Sequence, residues 1–166
     1  MRLPVDDLNI SLVVGALDDR ASTSAARRER LRFTRFSFER TPNARCVAEV
    51  ELEYQSGDAV VGRAEGISAP LGDIRLAAEA TLRAIEEFSR GTLRFELLGV
   101  KQMRAFDANV VIVSVHCLAG DLGSGDRAKE RRLLGCHLAG DDPLRGAVIA
   151  TLQATNRLLG NAIATR

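Results

Sequence analysis

The sequence predicts an α+β protein built from two tandem βββα units related by a pseudo-twofold, with antiparallel sheets and helices packed on one face. Three observations lead there. The segment RLAAEATLRAI (Arg75 to Ile85) returns as RGAVIATLQAT (Arg145 to Thr155), with Arg, Ala, Ala, Thr, Leu and Ala in matching places. AEVEL (Ala48 to Leu52) answers to VIVSV (Val111 to Val115). LRFTRFSF (Leu31 to Phe38) answers to LRFELLGV (Leu93 to Val100), so strand-like pieces and a helix recur in one order. The units are expected over residues 31–91 and 92–160, after an N-terminal segment and linker (1–30) and before a short tail (161–166).

In the first unit, Leu31 to Phe38 reads as a strand whose phenylalanines enter the core while its arginines stay wet. Cys46, Ala48, Val50, Leu52 and Tyr54 then alternate with Val47, Glu49, Glu51 and Glu53. Side chains on a strand point to opposite faces, so this places an apolar row inward and three carboxylates outward. QSGD (Gln55 to Asp58) supplies a turn and Ala59 to Gly66 the antiparallel return. Pro70 and Gly72 are expected to interrupt regular structure, with Asp73 as a helix N-cap. Leu76, Ala77, Ala80, Ala84, Ile85 and Phe88 recur at helical spacing, and Gly91 follows the end. A face of alanines lets that helix approach a sheet closely.

The second unit repeats the plan with Leu93 to Lys101, Val110 to Leu118, a longer turn (Gly120 to Glu130) and Arg131 to Ala139. Asp142 stands before Pro143 at a first helical position, Ala147, Val148, Thr151, Thr155 and Leu158 share a side, and Gly160 is expected to end the helix.

Composition narrows the class. At 166 residues with 46% hydrophobic content, the chain suits one domain with one core. The 23 basic and 22 acidic residues leave a formal charge of +1, so no overall field draws it to nucleic acid or an anionic membrane. Cys46, Cys117 and Cys136 are odd in number and lack CxxC spacing, which fits a reducing, cytoplasmic setting. Lys101 and Lys129 are the only lysines amid abundant Arg and Ala, a usage typical of GC-rich bacterial genomes. The apolar stretch Leu8 to Leu17 contains Asn9 and Ser11 and follows Asp6 and Asp7 instead of a basic region, so it is not read as an export signal. The run DDRASTSAARRER after it reads as a linker.

The stretch Gly66…Pro70…Asp73…Ala77, with Gly135…Asp142…Ala147…Ala150 and TLQATNRLL (Thr151 to Leu159), resembles the C-terminal regulatory domain of alpha-isopropylmalate synthases. That domain is itself two βββα units. The resemblance covers about residues 31–160 and implies a homodimer in which Gly- and Asp-containing helix-start loops surround a feedback amino acid at the dimer interface. Carried onto this sequence, those loops hold Gly66, Ser68, Asp73, Gly140, Asp141 and Asp142. The family's metal-dependent barrel, which carries the chemistry, has no room in a chain this short.

The same loops stand out on physical grounds. Free N–H groups and the positive end of a helix hold a carboxylate or phosphate, and a nearby Asp receives an ammonium. Simple capping is the more economical explanation of the same residue types, since Asp and Ser are preferred at helix N-caps in any protein. Elsewhere, His116-Cys117 and Cys136-His137 fall on one hairpin, but neighbours on a strand face opposite ways, so a tetrahedral zinc site does not assemble. Cys117 is expected in the inward row of Val111, Val113 and Val115, and Cys136 in an inward row with Leu134 and Leu138. Glu49, Glu51 and Glu53 read as a solvated face. GDLGSGD (Gly120 to Asp126) links two strands instead of leading into a helix, so it reads as a hairpin tip. The basic run Arg27 to Arg40 with interleaved phenylalanines is the one feature that favours nucleic acid.

The sequence therefore points to a non-catalytic dimeric binding or regulatory module that senses an amino acid or other small anionic metabolite. No catalytic residue, metal or cofactor is assigned. The alternatives are an interaction or dimerisation scaffold without a metabolite, and a small enzyme or nucleic-acid-binding protein.

Overall fold

The computed structural model describes residues 31–54, 57–119 and 131–164. The apolar stretch Leu8 to Leu17, the linker, Gln55 and Ser56 of the first turn, and GDLGSGD lie outside the described residues. Elements follow as β1 (Arg32–Arg40), β2 (Arg45–Glu53), β3 (Ala59–Ile67), α1 (Pro70–Phe88), β4 (Arg94–Ala105), β5 (Ala108–Ala119), β6 (Arg131–Leu138) and α2 (Pro143–Ala164). Two antiparallel sheets result, β1-β2-β3 and β4-β5-β6, each followed by a helix that packs on it. The duplicated βββα architecture expected from the repeat is the architecture observed.

The inward rows are those the alternation indicates. Cys46, Ala48, Val50 and Leu52 are fully buried in the first unit, and Val111, Val113 and Val115 in the second. Phe33, Phe36 and Phe38 pack against this core from β1. Burying one such Val or Leu stabilises the fold by roughly 1.5–3 kcal/mol.

What the two halves share most closely is the crossing of helix over sheet. Gly62 on β3 lies under Ala80 and Ala84 of α1, and Gly135 on β6 lies under Ala150 and Ala154 of α2. A methyl group added at either glycine would stand 2.0 Å or 1.9 Å from the carbonyl oxygen of Ala80 or Ala150. One turn earlier, Thr81 donates its hydroxyl to the Ala77 carbonyl at 2.8 Å, and Thr151 to that of Ala147 at 2.7 Å. The repeated A-x-x-A-T-L-x-A string is thus a packing device. Small residues let the helix backbone touch the strand, and buried threonines satisfy their hydroxyls on their own helix.

Four expectations need correction. Helix α1 starts at Pro70, with Ala69 as N-cap, so Pro70 and Gly72 open the helix instead of interrupting structure. Proline suits this place because the first helical N–H needs no partner. Asp73 is consequently not the cap but a first-turn residue whose carboxylate accepts from the Ala69 N–H at 3.1 Å. Gly160 does not end α2, which runs on to Ala164. Finally, Leu134, Cys136 and Leu138 face outward and are exposed, because the contact with α2 falls on Gly135 and fixes the opposite phase for β6. Cys46 and Cys117 are buried as expected.

Candidate functional site

Helix starts from both units meet at one cavity. It has a volume of about 580 Å³ and is lined by Arg40, Ser68, Ala69, Pro70, Asp73, Ile74, Gln102, Asp141, Asp142, Pro143 and Leu144. Four of the six residues singled out from the sequence, Ser68, Asp73, Asp141 and Asp142, therefore share a wall. Gly66 and Gly140 do not line it. Gly66 packs against the Leu76 side chain, and Gly140, at φ 54°, forms the turn into α2 and accepts from Asn109 Nδ2 at 3.1 Å.

The two acidic loops do different work. Asp73 is nearly enclosed, with its side chain 6% exposed, and its oxygens are engaged by Arg40 at 2.6 Å, the Ala69 N–H at 3.1 Å and the Cys46 thiol at 3.4 Å. Burial pushes its pKa up, but the Arg40 hydrogen bond, with the Ala69 and Cys46 bonds, outweighs it and holds the carboxyl below its ordinary value. Asp73 ties the end of β1, the start of β2 and the first turn of α1 together. Asp142 is the N-cap of α2: its Oδ1 accepts from the Arg145 N–H at 2.9 Å. Asp141 is exposed beside it.

Arg40 and Gln102 are the lining groups that sequence reasoning missed. Arg40 lies opposite Cys46, so it continues the inward row of Phe36 and Phe38 and emerges at the cavity. Its guanidinium stands 5.2 Å from the centre of the Phe38 ring. With its side chain 62% exposed, it keeps donors open beyond the one spent on Asp73. The period-two series Phe36, Phe38, Arg40 carried that signal. Gln102 lies opposite Val111 on the inward face of β4, and no local pattern marks it.

The remaining sequence candidates do not converge. His116 faces the outer side of the second sheet, 3.9 Å from Glu96, whereas His137 lies opposite the inward-facing Val111 on the helix side. Among the described residues, no group of three or more His, Cys, Asp and Glu is placed to hold a metal. Glu49 and Glu51 pair across strands with Arg63 and Arg35 at 3.8 Å and 3.3 Å, as a solvated face does. Among the described residues, no helix is long and apolar enough to cross a membrane.

No family model matches this chain, and no curated protein matches it either.

Proposed function

We propose that the chain is a non-catalytic regulatory module, acting as a homodimer, that binds an amino acid or another small anionic metabolite between its two helix starts. The resemblance to the regulatory domain of alpha-isopropylmalate synthases belongs to this reading and supplies the choice of ligand class. One juxtaposition supports it: Arg40 and the start of α1 face Asp141 and the start of α2 across a single cavity of ligand size. A carboxylate is favoured on the Arg40 side, where Ser68 and the positive end of α1 add to the guanidinium. An ammonium is favoured beside Asp141. Ile74, Leu144 and the two prolines leave an apolar wall for a side chain.

Capping accounts for Asp142 and the tie through Asp73 for that carboxylate, so the binding reading rests on Arg40, Ser68, Gln102 and Asp141. A thermal-shift screen of amino acids and small carboxylates tests it. Ligand at 100-fold over its dissociation constant adds about 2.7 kcal/mol to folding stability. The expected result is stabilisation by one or a few zwitterionic ligands, reduced in Arg40→Ala and in Asp141→Asn. A screen without any shift would sink the metabolite reading.

A further inference from the structure

The charges around the cavity between the helix starts do not balance. Arg40 supplies a guanidinium to its wall, but one nitrogen stands 2.6 Å from Asp73, so these two charges cancel. Asp141 and Asp142 line the other side and are exposed, and among the described residues neither has an ion-pair partner. Asp142 spends one oxygen on the cap of α2 and keeps its charge. Arg145, in the first turn of that helix, does not neutralise them, because its guanidinium lies over the Phe33 ring, 5.3 Å from the centre, and is no part of the cavity wall. Two uncompensated carboxylates remain. The positive ends of the two helices, about half a charge each, offset roughly half of that, and the cavity stays negative.

We infer that the ligand is an amino acid whose aliphatic side chain ends in a cation, as in lysine, ornithine or arginine. This rests on the binding reading above and narrows it. A second anionic group, as in a dicarboxylate or a phosphate ester, meets two carboxylates of its own sign, and a neutral side chain leaves their charge uncompensated. Size points the same way. Taken as round, a volume of about 580 Å³ is roughly 10 Å across, whereas the ammonium and carboxylate of an α-amino acid leave the same carbon and do not reach both walls. A basic amino acid spans them. Its carboxylate takes the open donors of Arg40 and the Ser68 hydroxyl, its methylenes lie along Ile74 and Leu144, and its terminal cation meets Asp141 and Asp142. The amide oxygen of Gln102 is an acceptor for the α-ammonium. Asp73 acts through Arg40 as a positioning residue: its other oxygen is held by the Ala69 N–H and the Cys46 thiol, so the guanidinium is presented in one orientation.

Calorimetric titration of the full chain with lysine, ornithine, arginine, norleucine and glutamate tests this. Norleucine keeps the unbranched chain of lysine and lacks only the terminal nitrogen. At least one basic amino acid should bind roughly tenfold or more tightly than norleucine, and glutamate should bind most weakly. Raising the salt concentration should narrow the gap between the basic ligand and norleucine. Asp141→Asn combined with Asp142→Asn should bring the basic ligand down to the affinity of norleucine. The fold survives that change, because asparagine caps a helix as well as aspartate does. A site that takes norleucine or glutamate as tightly as any basic amino acid overturns the inference and leaves the metabolite reading standing. A preference for basic amino acids that outlasts both asparagine changes also overturns it, since the cation then sits elsewhere. Failure of every amino acid and small carboxylate to bind overturns both readings together.

Discussion

Replacing Gly62 or Gly135 by alanine tests the packing device that the duplication preserves. In a strand, alanine has an intrinsic advantage of roughly 0.5–1 kcal/mol over glycine. The structure opposes it at both sites. At Gly62 the new methyl would lie 2.0 Å from the Ala80 oxygen, 2.3 Å from the Ala84 nitrogen and 2.8 Å from the Ala84 Cβ. At Gly135 it would lie 1.9 Å from the Ala150 oxygen and 2.7 Å from the Ala154 nitrogen. Real methyl groups keep more than 3.0 Å from such atoms, so the helix must lift by about an ångström. The obstructing atoms are helix backbone, which cannot swing aside as a side chain would. Overpacking costs typically 1–3 kcal/mol, and the immobility of these neighbours places both sites at about 3 kcal/mol or above. Gly99 is the control, because nothing lies within 4 Å of a methyl there. Urea unfolding should show Gly62→Ala and Gly135→Ala shifted strongly to lower midpoints and Gly99→Ala within about 0.5 kcal/mol of the parent. Equal midpoints for all three variants would refute the close helix–strand crossing.

Asp73→Asn removes the charge that Arg40 engages and should cost about 1.5–3 kcal/mol at neutral pH. Because the folded-state pKa of Asp73 lies below its ordinary value, its contribution is complete above the usual aspartate range and is lost as pH falls through the folded-state pKa. Unfolding measured over an acid pH series should therefore show parent and variant converging at low pH; a gap that stays constant would contradict the ion-pair account. Asp142→Ala loses the cap of α2 and should destabilise by about 1 kcal/mol, read as a fall of a few degrees in Tm. Phe106 and Asp107 form the two-residue turn of the β4–β5 hairpin, both with positive φ (50° and 64°). Phe106→Asn with Asp107→Gly supplies the residues this turn favours and should raise stability by about 1 kcal/mol; a drop in Tm would mean that the turn is not of this type.

Much of the fold was legible because polarity and period agreed. Between Cys46 and Glu53 every second residue is apolar and most of the others are acidic, so the strand has only one sensible phase. In RLLGCHL (Arg132 to Leu138) both phases carry apolar side chains, and the choice falls to Gly135, where α2 touches the strand. That contact joins residues far apart in sequence and cannot be read from the strand alone. The start of α1 was marked by Pro70, but Asp73 looked like a cap because its carboxylate does bind a helix-start N–H, from inside the helix. As for the site, the sequence named the helix-start carboxylates one loop at a time. Their meeting in one cavity, and the arrival there of Arg40 and Gln102, depends on how the two units pack together.

An amide-resolved NMR titration with the best ligand from the thermal-shift screen tests the central claim most directly. If the cavity between the helix starts is the binding site, the N–H signals of Ser68 and Ala69 from one unit and of Asp141, Asp142 and Leu144 from the other shift together along one saturating curve. The same titration of Arg40→Ala should lose that curve while the spectrum stays that of a folded protein. Signals that move at one helix start only, or not at all, would contradict a shared site.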